Sequence, residues 1–474
     1  IMSINIKPAL GKMRLSGVFL LYLVTLCNSN NVDTVSSDIK LKNVDRIIDC
    51  TSQLVKVTGK LTLENTGNSP IKNFLLAIES AAIDNLAFVG VKDSNNKDLR
   101  LIDTTVKGYN YVKFLRVELK DAINAGSSAV VVAEFVYTKA LIPYPTAISQ
   151  QEEQLVKYNG NLYFFSPYYV TSQKTNVILN TKNVESFTKV KPFSQVEGTL
   201  VYGAYSNIGP FTEKELSVHF KNNSPFLTVV RIERLIEVSH WGNIAVEEKI
   251  EIEHTGAKLK GPFSRYDYQQ DHRSGPASVR SYKTLLPASA ADVYYRDTNG
   301  NISTSNMKVK KDSVELDLRP RYPLFGGWRT HYTLGYNVPS YEYLYHSGNE
   351  YLLKMRVIDH IFDDMQVDEL VTKVILPEGV HNIKVNFPFA VTRIPDSVHY
   401  TYLDTQGRPV ISFKKRNVVE NHIQDFQLRY TFPNIFMFRE PLLVVGSIYA
   451  LFLLVIVYVR LDFSIHKPEH PHKD

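Results

Sequence analysis

An adjacent acidic pair, a near-solitary thiol, a histidine cluster and two glycosylation sequons are the places where residue type and spacing could do chemistry. Asp363 and Asp364 lie side by side, yet acid/base catalysis needs one carboxyl to give a proton where another takes one, a geometry that adjacency along the chain does not supply. A solvated turn is the expected role of the pair. Cys50 has no neighbouring feature that would lower a thiol pKa, so a cysteine nucleophile is not expected. His466, His470 and His472 sit in a Pro-containing terminal stretch, which reads as solvated tail rather than metal site. The phosphate-cradling G-x-x-x-x-G-K-[ST], the strand-then-helix G-x-G-x-x-G, H-E-x-x-H and G-x-S-x-G are all missing. No catalytic, cofactor or metal residue is therefore assigned.

Two N-x-[ST] sequons remain, Asn222-Asn-Ser224 and Asn301-Ile-Ser303. Pro225 restricts Ser224 to extended conformations, which hinders glycan transfer to Asn222. Asn301 lies in the turn-rich run Asp297-Thr-Asn-Gly-Asn-Ile-Ser-Thr and is the favoured acceptor. Aromatic residues at Tyr266, Tyr268, Tyr294, Tyr295, Trp328, Tyr341, Tyr343 and Tyr345 could form a surface for sugars or peptides, although half of such a set normally belongs to the core.

These residues need elements to position them. The chain has 474 residues, 44% hydrophobic and 22% charged, enough to bury two or three cores. Two cysteines give no disulfide framework and too few thiolates for zinc ribbons or iron–sulfur clusters. Lys7, Lys12 and Arg14 precede any acid, and without residues 1–27 the chain carries 51 bases against 48 acids, too even a balance to argue for nucleic acid.

Leu15 to Leu26 is apolar but too short for a bilayer core of ~30 Å. With its basic lead and following polar run it reads as a signal peptide, residues 1–27, cut after Cys27. Leu442 to Val459 holds eighteen residues without a charge and covers ~27 Å as a helix, just enough to cross. Gly446 and Ser447 either favour packing on another membrane helix or simply face lipid. Basic residues flanking the span do not decide its orientation; the signal peptide does, leaving a short cytosolic tail, residues 461–474.

Between Asp33 and Tyr430 strand signals dominate. Val55, Val57, Leu61 and Leu63 alternate with polar residues, Ala129 to Val136 is a continuous apolar run, and Asn65-Thr-Gly67 and Asn124-Ala-Gly126 punctuate them. The chain also repeats itself. Val55, Val57, Leu61, Leu63, Thr66 and Gly67 return at an offset of 189 as Ile244, Val246, Ile250, Ile252, Thr255 and Gly256. Val117-Glu-Leu119 returns as Val314-Glu-Leu316, Tyr137 as Tyr336, and Gly160-Asn-Leu-Tyr163 as Gly348-Asn-Glu-Tyr351. The expected fold is mainly β: two tandem β-sandwich-like domains, lumenal or extracellular and related by duplication, residues 28–226 and 227–435, then one transmembrane helix with its flank, residues 436–460.

Arg234 to Glu248 (RLIEVSHWGNIAVEE) resembles the ribophorin I family of endoplasmic-reticulum oligosaccharyltransferase subunits. The resemblance continues through His254 to Gln269, Leu286 to Asp297, Arg319 to Tyr345, His399 to Val410 and Glu440 to Ile465. It implies a non-catalytic, single-pass protein of the endoplasmic-reticulum membrane. Its partners would be the other subunits of that complex, including the catalytic one, the translocon, nascent polypeptides and, through one helix, membrane lipid. Animal members of the family extend beyond the helix into a cytosolic segment associated with ribosome contact, whereas this chain ends at Asp474, so ribosome contact is not carried over. On residues alone two other readings stay open: a membrane-anchored adhesion or receptor protein with paired sandwiches, and a membrane-anchored hydrolase.

Overall fold

The computed structural model describes residues 32–109, 111–270, 277–401 and 403–461. The expected signal peptide and His466, His470 and His472 lie outside them. Among the described residues helix is scarce before the C-terminal span: Ser80–Ile83, Arg265–Gln270 and Ser340–Tyr343 are four to six residues long.

One topology is built twice. In the first half a seven-stranded sheet runs in the order Phe193–Val196, Thr199–Ile208, Val170–Ile178, Ile39–Asp49, Val55–Asn65, Ser128–Tyr137, Leu86–Asp93. In the second half the order is Thr392–His399, Arg408–Val419, Gln366–Ile375, Leu227–Val238, Asn243–His254, Arg329–Pro339, Ala291–Asp297, with the two-residue strand Gly300–Asn301 added at the edge. Taken in chain order, the strands of one sheet correspond to those of the other without a swap. In both, the first strand pairs parallel with the third from its edge and antiparallel with its hairpin partner. The two smaller sheets correspond as well. Ile71–Ile78, Lys113–Ile123 and Arg100–Val106 match Tyr282–Pro287, Ser313–Leu318 and Asn306–Val309, and Leu141–Pro143, Leu155–Asn161, Glu215–Lys221 and Val184–Phe187 match Leu344–Ser347, Glu350–Arg356, Asp425–Thr431 and His381–Asn386.

Register extends the match to single residues. A bulge interrupts the first hairpin between Leu41 and Asn43, and another interrupts the second between Val229 and Arg231. Turns after the hairpins are copies too. Asn65 and His254 each accept the N–H of the glycine two residues on, Gly67 at 2.9 Å and Gly256 at 3.2 Å, and their own carbonyls accept from Gly126 and Gly327, whose φ values of +70° and +81° favour glycine. Two of the sequence matches are not equivalent positions. Val57 faces Phe135 and Val246 faces Tyr336, so Tyr336 corresponds to Phe135 and not to Tyr137. Gly160 lies within its strand while Gly348 lies in the turn before the corresponding one. Shared glycine and tyrosine usage produced that second likeness.

Alternation explains the cores. Val55, Val57, Leu61 and Leu63 are buried, as are Ile244, Val246, Ile250 and Ile252, because every second side chain of a strand points to one face. One large core draws on Ile39 to Phe226 and another on Leu227 to Phe432. A small third cluster of Leu54, Val136 and Val419 joins the halves, with Phe88 set edge-on to His422. Polar links reinforce this seam: Gln150 exchanges two hydrogen bonds with Ser264, Gln154 receives the Ala257 N–H, and Ala147–Ile148 pairs parallel with Lys258–Leu259.

After a 3-10 turn, Asn434–Phe438, the helix Arg439–Arg460 follows. It is long and apolar enough to cross a membrane by length and composition. Pro441 sits in its first turn, where a missing N–H costs nothing.

Candidate functional site

Arg46 and Arg234 occupy the same place in the two repeats. Each lies in the first strand of its large sheet, opposite Gly59 in one case and Glu248 in the other, and those two residues are themselves 189 apart. Each guanidinium reaches across to the segment that follows a corresponding strand, Leu155–Asn161 or Glu350–Arg356. Beside each arginine opens a cleft, also lined in both repeats by the end of that strand and by its cross-strand partner, Glu215 opposite Asn161 and Asp425 opposite Arg356.

The second cleft is largely closed by its own charges. Arg234, Glu248 and Asp359 are each 1% exposed. Arg234 Nη1 donates to Glu248 and, at 2.7 Å, to Asp359, while Nη2 donates to the Tyr336 hydroxyl at 3.2 Å, and that hydroxyl donates to Asp359. Burial raises the Glu248 carboxyl against the opposing pull of Arg234. Asp359 Oδ1 and Arg234 Nε have no hydrogen-bond partner among the described residues. A cavity of about 240 Å³ remains.

In the first repeat all three polar partners are replaced by groups without charge or hydroxyl. Gly59 stands for Glu248, Phe135 for Tyr336, and Phe164, three residues past its strand end as Asp359 is past its own, takes the carboxylate's place. A Cβ on Gly59 would meet the Phe164 ring at 3.5 Å, so this ring lies over the glycine. Arg46 Nη1 turns to main chain instead, donating to the carbonyls of Asn161 at 2.7 Å and Tyr163 at 3.2 Å, and its buried Nε has no partner among the described residues. A cleft of about 480 Å³ is left.

Its lining mixes rings and charge. Tyr158 is 5% exposed, and neither its hydroxyl nor that of Tyr137 has a hydrogen-bond partner among the described residues. Burial pushes the Tyr137 phenol up to about 12 and Tyr158 higher still, so both stay protonated donors. Glu79 accepts the Asn161 amide at 2.9 Å, and burial raises its carboxyl. Such a site fits a ligand that offers both hydrogen-bonding edges and apolar faces, as an extended peptide does.

The residues singled out by sequence are scattered. Asp364 forms an ion pair with Lys56 across the seam, and its carbonyl accepts the Gln53 amide at 2.8 Å; Asp363 stays exposed near His360. Their side chains serve different neighbours, Lys56 for Asp364 and His360 for Asp363. Cys50 is fully buried and burial drives its thiol pKa upward, which leaves it inert. Asn222 is fully buried, its amide donating to Ser52 and its Oδ1 accepting from Ser224 and Asn180. Asn301 is exposed on the edge strand Gly300–Asn301. Of the aromatic set, Tyr266, Tyr341 and Tyr345 are exposed, while Tyr295 is core and Tyr294 is tied to Glu247. No group of three or more His, Cys, Asp or Glu that could hold a metal occurs among the described residues. Sequence reading missed Arg46 and Arg234; their 188-residue spacing was available, but a charged residue inside a strand drew no notice without the register that sets it opposite Gly59 or Glu248.

Fold and site together define a class: a tandem-repeat β protein with one large copy of its cleft, a second copy about half that volume beside a buried charge network, and an apolar helix near its end. The Ribophorin I family model matches residues 39–459, and the chain belongs to that family. It is 44% identical over 439 residues to dolichyl-diphosphooligosaccharide–protein glycosyltransferase subunit 1 of Caenorhabditis elegans, covering 92% of this chain and 74% of that protein. Subunits 1A and 1B of Arabidopsis thaliana are 36% and 35% identical, covering 96% and 95% of this chain and 75% and 98% of theirs. An M1 zinc metallopeptidase from Deinococcus radiodurans shares 14% identity over 42% of this chain and 44% of that one at a TM-score of 0.23, too slight a likeness to carry fold or function.

Proposed function

We propose that this protein is a non-catalytic subunit of the complex that moves an oligosaccharide from dolichyl diphosphate to asparagine in N-x-[ST] motifs. The observation that carries this is the family match, which runs from the first strand of the first large sheet into the last turn of the helix. The protein is a single-pass type I component of the endoplasmic-reticulum membrane, with both β repeats in the lumen. We divide those repeats at 226/227, where one core gives way to the other.

Its work is to support assembly with the other subunits, the catalytic one included, and to present nascent polypeptides beside the translocon. The open cleft at Arg46 is the candidate contact for a polypeptide, since tyrosine hydroxyls, a guanidinium and apolar walls converge there. Asn301 is the proposed glycan acceptor of this chain itself, because the Asn222 amide is committed to Ser52 within the fold.

A purified complex, a dolichol-linked donor and an N-x-[ST] peptide provide the test. Removing the protein should lower the amount of assembled complex. Asp363→Ala with Asp364→Ala should leave turnover intact. Arg46→Ala with Tyr137→Ala should raise the peptide KM several-fold at unchanged assembly. A fully assembled Asp363/Asp364 variant whose turnover drops by orders of magnitude would end the non-catalytic reading.

A further inference from the structure

The foot of the second repeat is fastened to the root of the membrane helix. Arg408 holds Glu440 of the first helical turn at 2.9 Å and Glu237 at 3.0 Å, and also pairs with Asp404. Arg439 reaches Glu378 and Thr405, while the Glu378 carboxylate accepts the N–H groups of Thr405, Gln406 and Gly407. Trp241, at the tip of the hairpin between Leu227–Val238 and Asn243–His254, lines one small cavity with Phe436, Met437 and Glu440. Trp241 therefore lies beside the start of the helix. Ser340 N–H donates to the Gly242 carbonyl at 3.0 Å, which brings Tyr341 beside the same tip.

Around this root the surface is unusually apolar. Trp241 is 65% exposed, Tyr341 77%, Tyr400 65%, Leu403 43%, Ile435 72% and Phe438 57%. Rings with an apolar body and a polar edge are placed poorly in water and well at the boundary of a bilayer. What covers them follows from continuity, because a helix able to cross the bilayer emerges from their midst and its uncharged stretch begins at Pro441.

We propose that these side chains form a collar that lies in the headgroup region of the lumenal leaflet, with Trp241 inserted. The salt bridges of Arg408 and Arg439 fix the collar to the helix, so the second repeat stands at a set height and tilt on the membrane. This depends on the helix crossing lipid and not on the role in glycosylation.

Two tryptophans, Trp241 and Trp328, are present in the chain, which makes the test direct. The full chain carrying Trp328→Phe is placed in phosphatidylcholine vesicles whose acyl chains are brominated near the headgroup. Trp241 emission should be blue-shifted and fall roughly twofold relative to unbrominated vesicles. Where Trp328→Phe does not fold, the difference between the unsubstituted chain and Trp241→Phe gives the same quantity. Unchanged Trp241 emission in brominated vesicles, from protein that alkaline extraction leaves in the membrane, overturns the collar.

Discussion

Arg46 and Arg234 are one residue seen in two environments. In the second repeat the guanidinium is neutralised from within by Glu248, Asp359 and a phenol, and the cleft beside it is small. In the first, Gly59, Phe135 and Phe164 stand at those places, the arginine falls back on two carbonyls, and the cleft doubles to about 480 Å³. Identical strand order surrounds both, so backbone topology is not what distinguishes an open site from a closed one. What differs is the side chains around the arginine together with the short helix that lines each cleft, Ser80–Ile83 in the first repeat and Ser340–Tyr343 in the second.

Breaking the network should bring out that contrast most strongly. Glu248→Ala with Asp359→Ala leaves Arg234 buried and unpaired, at a cost of ~3–5 kcal/mol read in urea unfolding. Replacing all three by Met, Leu and Leu should return most of that loss, whereas Arg46→Met should cost ~1–3 kcal/mol, since two hydrogen bonds to carbonyls are lost but no charge is left buried without its partner. If Arg46→Met proves as damaging as the network variants, the two environments are not different in kind.

Acid should separate the repeats next. His254 and His422, both in the second repeat, are held down to about 4 by burial, against an ordinary value near 6.5. A folded-state pKa below the unfolded one means that protonation favours unfolding. Their contribution is complete above pH 6.5 and disappears as pH falls towards 4, by up to ~3 kcal/mol per residue. Hydrogen exchange at pH 5 should accelerate in Asn243–His254 and Arg408–Val419 before it does in Val55–Asn65.

Smaller effects are expected at the seam. A double-mutant cycle on Lys56 and Asp364, both partly exposed, should give a coupling of ~0.5–1 kcal/mol that fades with salt. Smallest of all is the response of Cys50, which should resist a thiol reagent in the native chain and react after denaturation, whichever repeat is perturbed.

Much of this architecture could be read from residue order. The 189-residue offset of Val55 to Gly67 located the paired hairpins because alternating apolar positions are what a half-buried strand requires, and Thr-Gly marked the turn that both hairpins share. Likeness of letters misled where pattern was absent: Gly160 and Gly348 sit on opposite sides of a strand start. The cleft was invisible for a physical reason. Its distinguishing residues, Gly59, Phe135 and Phe164 against Glu248, Tyr336 and Asp359, come from three separate strands and loops, and only the ladders bring them to one arginine. Exposure of aromatics was equally hidden, and Trp241 passed as part of a recognisable motif.

The short parallel ladder between Ala147–Ile148 and Lys258–Leu259 has a consequence for how the chain is made. Its two halves are about 110 residues apart, and at a synthesis rate of roughly 5–20 residues per second the first must wait about 5–20 s for its partner to emerge. For that interval the loop of the first repeat is unpaired, with Gln150 and Gln154 lacking Ser264 and Ala257, and Leu54 stays open to water longer still, until Val419 is made. Completion of one repeat is thus timed by the arrival of the next, and a pause in translation near residue 230 would lengthen the period in which the first repeat offers that surface to passing chaperones.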